Sequence, residues 1–422
     1  MNIQTHMKSI TLFLLTVFLI GTTCPVSARK KKGLHNGPNV SLNIKNNKKQ
    51  PPVTYLNLGL LSNFKKLDGF SLNLVSNIVH YESNGFQTAG FVNIAGTKTR
   101  GFHMAGIANL AGQKAQGIRV AGLANFTGRS TSGVHISGLA NVAGQNQSGL
   151  ILSGVMNMCS RESSGLHIAG LANIGGEHLK GVAISGLMNV TSQDMKGFQL
   201  TGLMNAVGRD NKGFQLAGLS NVCVNNKGLQ LAGLANYTEN NKGMQIGIAN
   251  LSNHCNKGSQ IGIINMCGDS TARQLGIINL KPGTRVQMIL SGGNANRFNV
   301  SARFINKIVF TQLGLGMNYG DFTDKISLSV FYRTGLILPL VPSKLNISGD
   351  IGFYHIETLD NKNQKEGCPA RLYALQPRIS LEYHPFKRFG IFASGGYGWT
   401  RTYKGNHAYD DKPVFEAGII LF

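Results

Sequence analysis

Six lysines, Lys180, Lys196, Lys212, Lys227, Lys242 and Lys257, each stand directly before a glycine, at intervals of 15 or 16 residues. If each interval is one turn of a stacked structure, the lysines form a row of ammonium groups about 5 Å apart along one edge. Such a row repels itself, and a bound polyanion would relieve the repulsion. The plainer alternative is a solvated turn with splayed stems, screened by salt. His103, His135 and His167 recur on every second interval, which invites a metal site. At about 10 Å apart they cannot share one ion. Their column holds Arg119, Gln199, Gln215 and Gln230 elsewhere, so an exposed polar face is expected there. No Ser-His-Asp grouping, phosphate loop or paired carboxylates stand in the chain, and the glycines read as repeat corners. Near the other end, only Glu357, Asp360 and His407 are candidates for a catalytic cluster. The expectation is a protein without catalytic, metal or cofactor residues.

These side chains are positioned by a recurring asparagine. From Asn63 it returns at Asn77, Asn93, Asn109, Asn125, Asn141, Asn157, Asn173, Asn189, Asn205 and Asn221, and then on to Asn279 at shorter steps. From Asn77 to Asn221 the step is an unbroken 16 residues; afterwards it is 15 or 14. A fixed period over that length marks a repeat architecture. A typical unit, Gly101-Phe102-His103-Met104-Ala105-Gly106-Ile107-Ala108-Asn109-Leu110, is β-length, ends in a polar turn and has no helical period.

In the shorter late units, Met244-Gln245-Ile246-Gly247-Ile248-Ala249-Asn250, simple alternation puts Asn250 on one face with Met244, Ile246 and Ile248. Earlier units insert a small residue before the glycine, as in Ala105-Gly106, as a corner or bulge requires. A buried asparagine must satisfy its donors and its acceptor, and stacking on its copies does so as an Asn ladder. The turns around Lys196, Lys212, Lys227 and Lys242 look alike. An antiparallel meander, whose loops lie alternately at opposite ends, would not give that. The expected domain is a parallel β-solenoid of about 15 coils over residues 55–283.

The chain begins with Lys8, an apolar run from Ile10 to Ile20, and Val26-Ser27-Ala28, the pattern of a secretory signal peptide over residues 1–28. Cys24 raises a lipoprotein alternative. Residues 29–54, with Arg29-Lys30-Lys31-Lys32 and Pro51-Pro52, read as a basic disordered linker. The formal net charge of +23 favours anionic polymers or membrane surfaces as partners. Cys159 and Cys223 share a column four coils apart, beyond bridging reach. With Cys267, they read as small buried side chains. A Cys255–Cys267 bridge is disfavoured because the two lie in different columns.

After Pro282-Gly283 the period stops and aromatic residues become dense. Eight alternating strands follow over residues 284–422, for example Phe298, Val300, Ala302 and Phe304 against Asn299, Ser301 and Arg303. Connections after the second, fourth and sixth strands are short, and those after the first, third, fifth and seventh tend to be longer. An apolar face with terminal aromatics and alternating turn lengths marks a transmembrane β-barrel. Its narrow interior would be filled by side chains, with Arg303, Arg333, Arg378, Asp350 and Glu382 pairing inside.

The unit Gly-apolar-Gln-Leu-Ala-Gly-Leu-x-Asn, at Gly213–Asn221 and Gly228–Asn236, resembles the surface-repeat-containing outer-membrane proteins of diderm bacteria, whose repeats run GLQIGLxN. The C-terminal part is similar to small barrels of the OmpA and OmpX type, through its strand count and final phenylalanine. The resemblance implies a cell-envelope protein with a structural or adhesive role and carries no catalytic residues. The barrel would contact outer-membrane lipid. The lysine edge would take an anionic glycan, lipopolysaccharide or peptidoglycan, and nucleic acid is not an expected partner. An even strand count with short periplasmic turns puts the repeats in the periplasm, whereas the family resemblance suggests the cell surface.

Overall fold

A computed structural model describes residues 53–319, 327–358 and 370–422, together with the short strand Val40–Ser41. The expected signal peptide, Cys24, Cys368 and Asp360 lie outside these residues. The described residues are all β, without a helix: a parallel solenoid of about 14 turns and a closed eight-stranded antiparallel barrel. Two compact units divide the chain, Met1–Ser259 and Gln260–Phe422, the second holding the last repeats and the barrel. Val40–Ser41, within the expected linker, pairs in parallel with Leu56 and Asn57.

Each 16-residue coil consists of a long and a short strand, such as Lys98–Ala105 and Ala108–Ala111. Neighbouring coils pair in parallel with no offset, Gly101 on Gly117 and Asn109 on Asn125. Because every residue sits on its counterpart one coil away, a sequence column becomes a physical row about 4.8 Å in spacing. The first rung differs from expectation: Ser62, not Asn63, aligns with Asn77.

The long strand is broken in its middle by a glycine in the left-handed region, as at Gly133 with φ of 112°. A Cβ there would lie 2.2 Å from the carbonyl oxygen of Gly117 on the preceding coil. Both sterics and backbone conformation therefore demand glycine. Gly133→Ala is expected to destabilise its coil by about 2–3 kcal/mol. Faster amide hydrogen exchange in coils 117–165 than elsewhere would register the loss; unchanged protection would refute it.

The solenoid interior combines rows of polar side chains with small apolar clusters, one of Phe64, Leu67, Val79 and Ala95 and another of Leu179, Ala183, Met195, Val207 and Cys223. Asn109, Asn125 and Asn141 are buried, and each Nδ2 donates to the Oδ1 of the next asparagine at 2.9, 2.9 and 3.1 Å. A second donation goes to a backbone carbonyl on that coil, from Asn109 to Val120 at 2.8 Å. The expected Asn ladder is thus present from Asn77 to Asn250, and again from Asn265 to Asn279.

Two expectations about faces are overturned. Asn250 does not share a face with Met244, Ile246 and Ile248: it is buried with Gln245, while Ile248 is 45 % exposed. The corner at Gly247-Ile248 shifts the alternation by one residue between the two strands. The second correction concerns the column of His103, Arg119, His135, His167, Gln199, Gln215 and Gln230, which was expected outside. Every one of these residues is buried. The apolar residues two places before each asparagine, such as Leu123, Leu187 and Leu219, point outward at the corner.

In the second unit the eight strands run from Arg285–Gly293 to Ala408–Leu421, closed by pairing of the first with the last. The connection after the first strand is only Asn294-Ala295, shorter than expected. The later strands reach 14–16 residues. The outer wall is apolar, with Leu315, Ile351, Ile379 and Phe415 exposed.

Inside the barrel, buried Arg303, Arg333 and Arg378 face buried Asp350, Glu382 and Glu416. Arg303 grips Glu382 through two hydrogen bonds, at 2.6 and 2.9 Å. Arg333 lies 3.1 Å from Asp350, and Arg378 pairs with Glu416. Apolar clusters lie on both sides of this layer, one around Tyr319, Phe331, Tyr354 and Leu372, the other of Ile305, Phe310 and Ile337. The cavity left beside Arg303 and Asp350 is about 10 Å³, room for about one water molecule. Opposite charges and apolar packing therefore occupy the lumen among the described residues.

The last repeats dock on the short-turn end of the barrel within this unit. Thr311 donates to the carbonyl of Ile277 at 2.7 Å, and Asn306 to that of Asn279 at 3.0 Å.

Candidate functional site

The lysine row forms as the spacing predicts. Lys180 pairs in register with Lys196, and Lys212, Lys227, Lys242 and Lys257 follow on later coils, all exposed. The row is partly neutralised. Glu162 takes Lys180 at 2.7 Å, and Asp210 takes Lys227 at 2.6 Å and Lys212 at 3.4 Å. Burial works against the Asp210 carboxylate, but hydrogen bonds from Lys227 and Asn225 outweigh it and hold its pKa below the ordinary value. Lys196, Lys242 and Lys257 have no carboxylate partner among the described residues. Three free cations on one edge can still attract an anion.

The residue two places after each of the first five lysines also points outward and is apolar, Val182, Phe198, Phe214, Leu229 and Met244, whereas Ser259 follows Lys257. Aromatic members stack along the axis, Phe198 on Phe214 at 5.1 Å and Phe70 on Phe86 at 4.9 Å. Beyond them come the outward positions of Leu200 and Leu216, then the corner leucines Leu203, Leu219 and Leu234. Around one coil, the exterior thus passes from a lysine to an apolar wall to an apolar corner. The reading of the repeats as "apolar in, polar out" missed this surface. The signal was present in Gln199, Gln215, Gln230 and Gln245, whose constant column needs an amide ladder. Gln215, Gln230 and Gln245 each donate to the preceding glutamine at 2.9–3.1 Å. A third ladder, Asn211, Asn226 and Asn241, runs beside it at 2.9 and 3.0 Å.

The histidine column holds a buried cation. Arg119 is wholly enclosed and donates to Thr127 Oγ1 at 2.7 Å and to the carbonyls of Asn109 and Phe126. No carboxylate faces it among the described residues, and burial lowers its pKa to about 9. Burial and the Arg119 charge together hold His103 and His135 down at about 3. These histidines are therefore neutral at physiological pH.

Since the unfolded histidines titrate near 6.5, the unfolded chain takes up more protons between there and about 3. The stability the neutral pair contributes is complete above about pH 6.5 and falls as pH drops through that window. His103→Gln and His135→Gln are each expected to flatten the pH dependence of local hydrogen exchange in coils 101–141. A slope unchanged in both variants would refute this.

Among the described residues, no three His, Cys, Asp or Glu side chains are placed to hold a metal ion. Glu357 pairs with Arg371 at 3.1 Å on an exposed edge. The His407 amide donates to the hydroxyl of Thr402, so it caps a turn. Cys159 and Cys223 are buried and free, burial raising the Cys223 thiol to about 12. Cys255 and Cys267, by contrast, are each in a disulfide, which corrects the expectation that Cys267 is a small buried thiol. Comparison with protein-family models, curated proteins and solved structures finds no match to this chain.

Proposed function

We propose that this is a non-catalytic outer-membrane protein of the cell envelope, anchored by its barrel and presenting the solenoid as a structural or adhesive surface. The observation that carries the reading is the inversion of the barrel: a greasy outer wall around a balanced layer of three arginines and three carboxylates. A water-soluble barrel would reverse that arrangement. Disulfide-bonded Cys255 and Cys267 fit an oxidising compartment, as does the signal-peptide pattern. Docking of the last repeats at the short-turn end supports a periplasmic position for those repeats. Protease shaving of intact cells, probed for fragments of residues 55–280, tests the side.

For the anchor itself, the full chain is expected to stay with membranes through alkaline carbonate and to leave them in detergent. It should also migrate differently on a denaturing gel before and after boiling. Release by carbonate, or identical mobility, would end this reading.

A second reading rests on the unpaired cations Lys196, Lys242 and Lys257: the lysine edge binds an anionic polymer such as a glycan, lipopolysaccharide or peptidoglycan. Changing the six lysines to glutamine should abolish retention on such a polymer, and undiminished retention would rule it out.

A further inference from the structure

The outward apolar rows of the solenoid are not explained by anchoring, which the barrel alone performs. Water-facing walls of a repeat protein are ordinarily polar, and contiguous exposed apolar surface marks an interaction site. Here Leu187, Leu203, Leu219, Leu234 and Ile248 stand 42–52 % exposed on five successive coils, next to the row of Phe198, Phe214 and Leu229. The interior of the same coils is already filled by amide ladders and by a small cluster of Leu179, Ala183, Met195, Val207 and Cys223, so the outward rows are not part of the core. We propose that this wall and its lysine border form a lipid-facing surface that contacts an anionic bilayer; this rests on the barrel being a membrane anchor.

The composition of the rows identifies the occupant. Successive positions in the row beside the lysines hold Val182, Phe198, Phe214, Leu229 and Met244, side chains of different volume and shape. A folded partner packs closely against an interface core and needs matched shapes along its length. Fluid acyl chains require only that each position be apolar. The border supplies the complementary charge. Lys196, Lys242 and Lys257 have no carboxylate partner, and each lysine near an anionic leaflet strengthens surface association by about fivefold. Apolar wall and cations lie on one side of the coil, separated by a single residue, as Lys196 and Phe198 are by Gly197. That is the order in which a leaflet offers hydrocarbon and phosphate. The opposite side carries polar residues, Gln113 and Arg129 among them.

The test uses the full chain inserted in vesicles of phosphatidylcholine with phosphatidylglycerol. Its sole tryptophan, Trp399, lies in the barrel, so Trp399→Phe gives a silent background. In that background Leu219→Trp places a reporter on the apolar corner and Gln113→Trp one on the polar side. With brominated acyl chains, emission from the Leu219→Trp chain is expected to fall about twofold, and that from the Gln113→Trp chain to stay constant. Raising salt, or changing Lys196, Lys242 and Lys257 to glutamine, should weaken the quenching in anionic vesicles and leave it unaltered in pure phosphatidylcholine.

A chain that fails to insert, judged by unchanged gel mobility on boiling, overturns the anchor and this inference with it. A chain that inserts normally but shows equal emission in brominated and ordinary lipid overturns the lipid contact alone. Protection of Leu219→Trp by cross-linked pairing of two chains would assign the wall to a second copy and likewise overturn it.

Discussion

Asn157→Ala is expected to open the solenoid locally and to cost about 2–5 kcal/mol, the sum of several buried groups losing their partners. Asn157 accepts from Asn141 at 3.1 Å and donates to Asn173 at 3.0 Å and to the carbonyl of Ile168 at 2.8 Å. Alanine removes all of these at once, together with a longer donation to the Ile151 carbonyl at 3.3 Å. It takes a donor from the buried Asn173 oxygen and from the Ile168 carbonyl, and deprives the Asn141 amide of one acceptor. Asn157→Asp should be no better, because a carboxylate cannot donate to Asn173. Since each coil touches only its neighbours, the damage should be confined. Amide exchange should accelerate across coils 141–189 and remain unaltered near Asn77 and in the barrel. Uniform exchange in the variant and the parent would sink the ladder as a source of stability.

The second large effect is expected in the barrel. Glu382→Leu leaves the enclosed Arg303 facing only Gln287 and the ring of Phe310, 5.3 Å from its guanidinium. It also removes an acceptor from Ser348. Breaking one side of a buried pair costs about 3–5 kcal/mol, whereas replacing both partners by apolar residues is often near neutral. Glu382→Leu should therefore lower the temperature at which the detergent-solubilised barrel loses its compact gel mobility. Adding Arg303→Met should restore most of the loss. If the double variant is as unstable as the single one, the ion pair is not what the arginine requires.

The two domains were legible to different depths. The repeat itself was plain, because parallel stacking without offset makes sequence period and structural period the same quantity. The barrel strands were equally plain, and the interior positions of Arg303, Arg333, Arg378, Asp350 and Glu382 followed from alternation. Glu416, which completes the charge balance, was not singled out, since the last strand was read for its aromatic ending. The inward face of the repeats was misread for a physical reason. Alternation defines two faces but not which of them is inside, and corners such as Gly106-Ile107 reset its phase between strands. The usual preference for apolar cores then chose the wrong face for Ile248 and for the His103 column. Polar residues can share this core with its apolar clusters because in-register copies satisfy one another, an option a single copy does not have. The lysine row survived the misreading because its position depends only on register.

Stacking without offset has one more consequence. Coils here are interchangeable modules, each meeting its neighbour through the same atoms. Excising Gly149–Ser164 in full would set Gly165 on Gly133 and Asn173 on Asn141, with every amide still finding its mate. Removing one residue fewer would derail all rows downstream. Lineages carrying this architecture can lengthen or shorten by gene duplication and loss in whole-coil steps, so the reach of the molecule is free to drift while its cross-section is held constant.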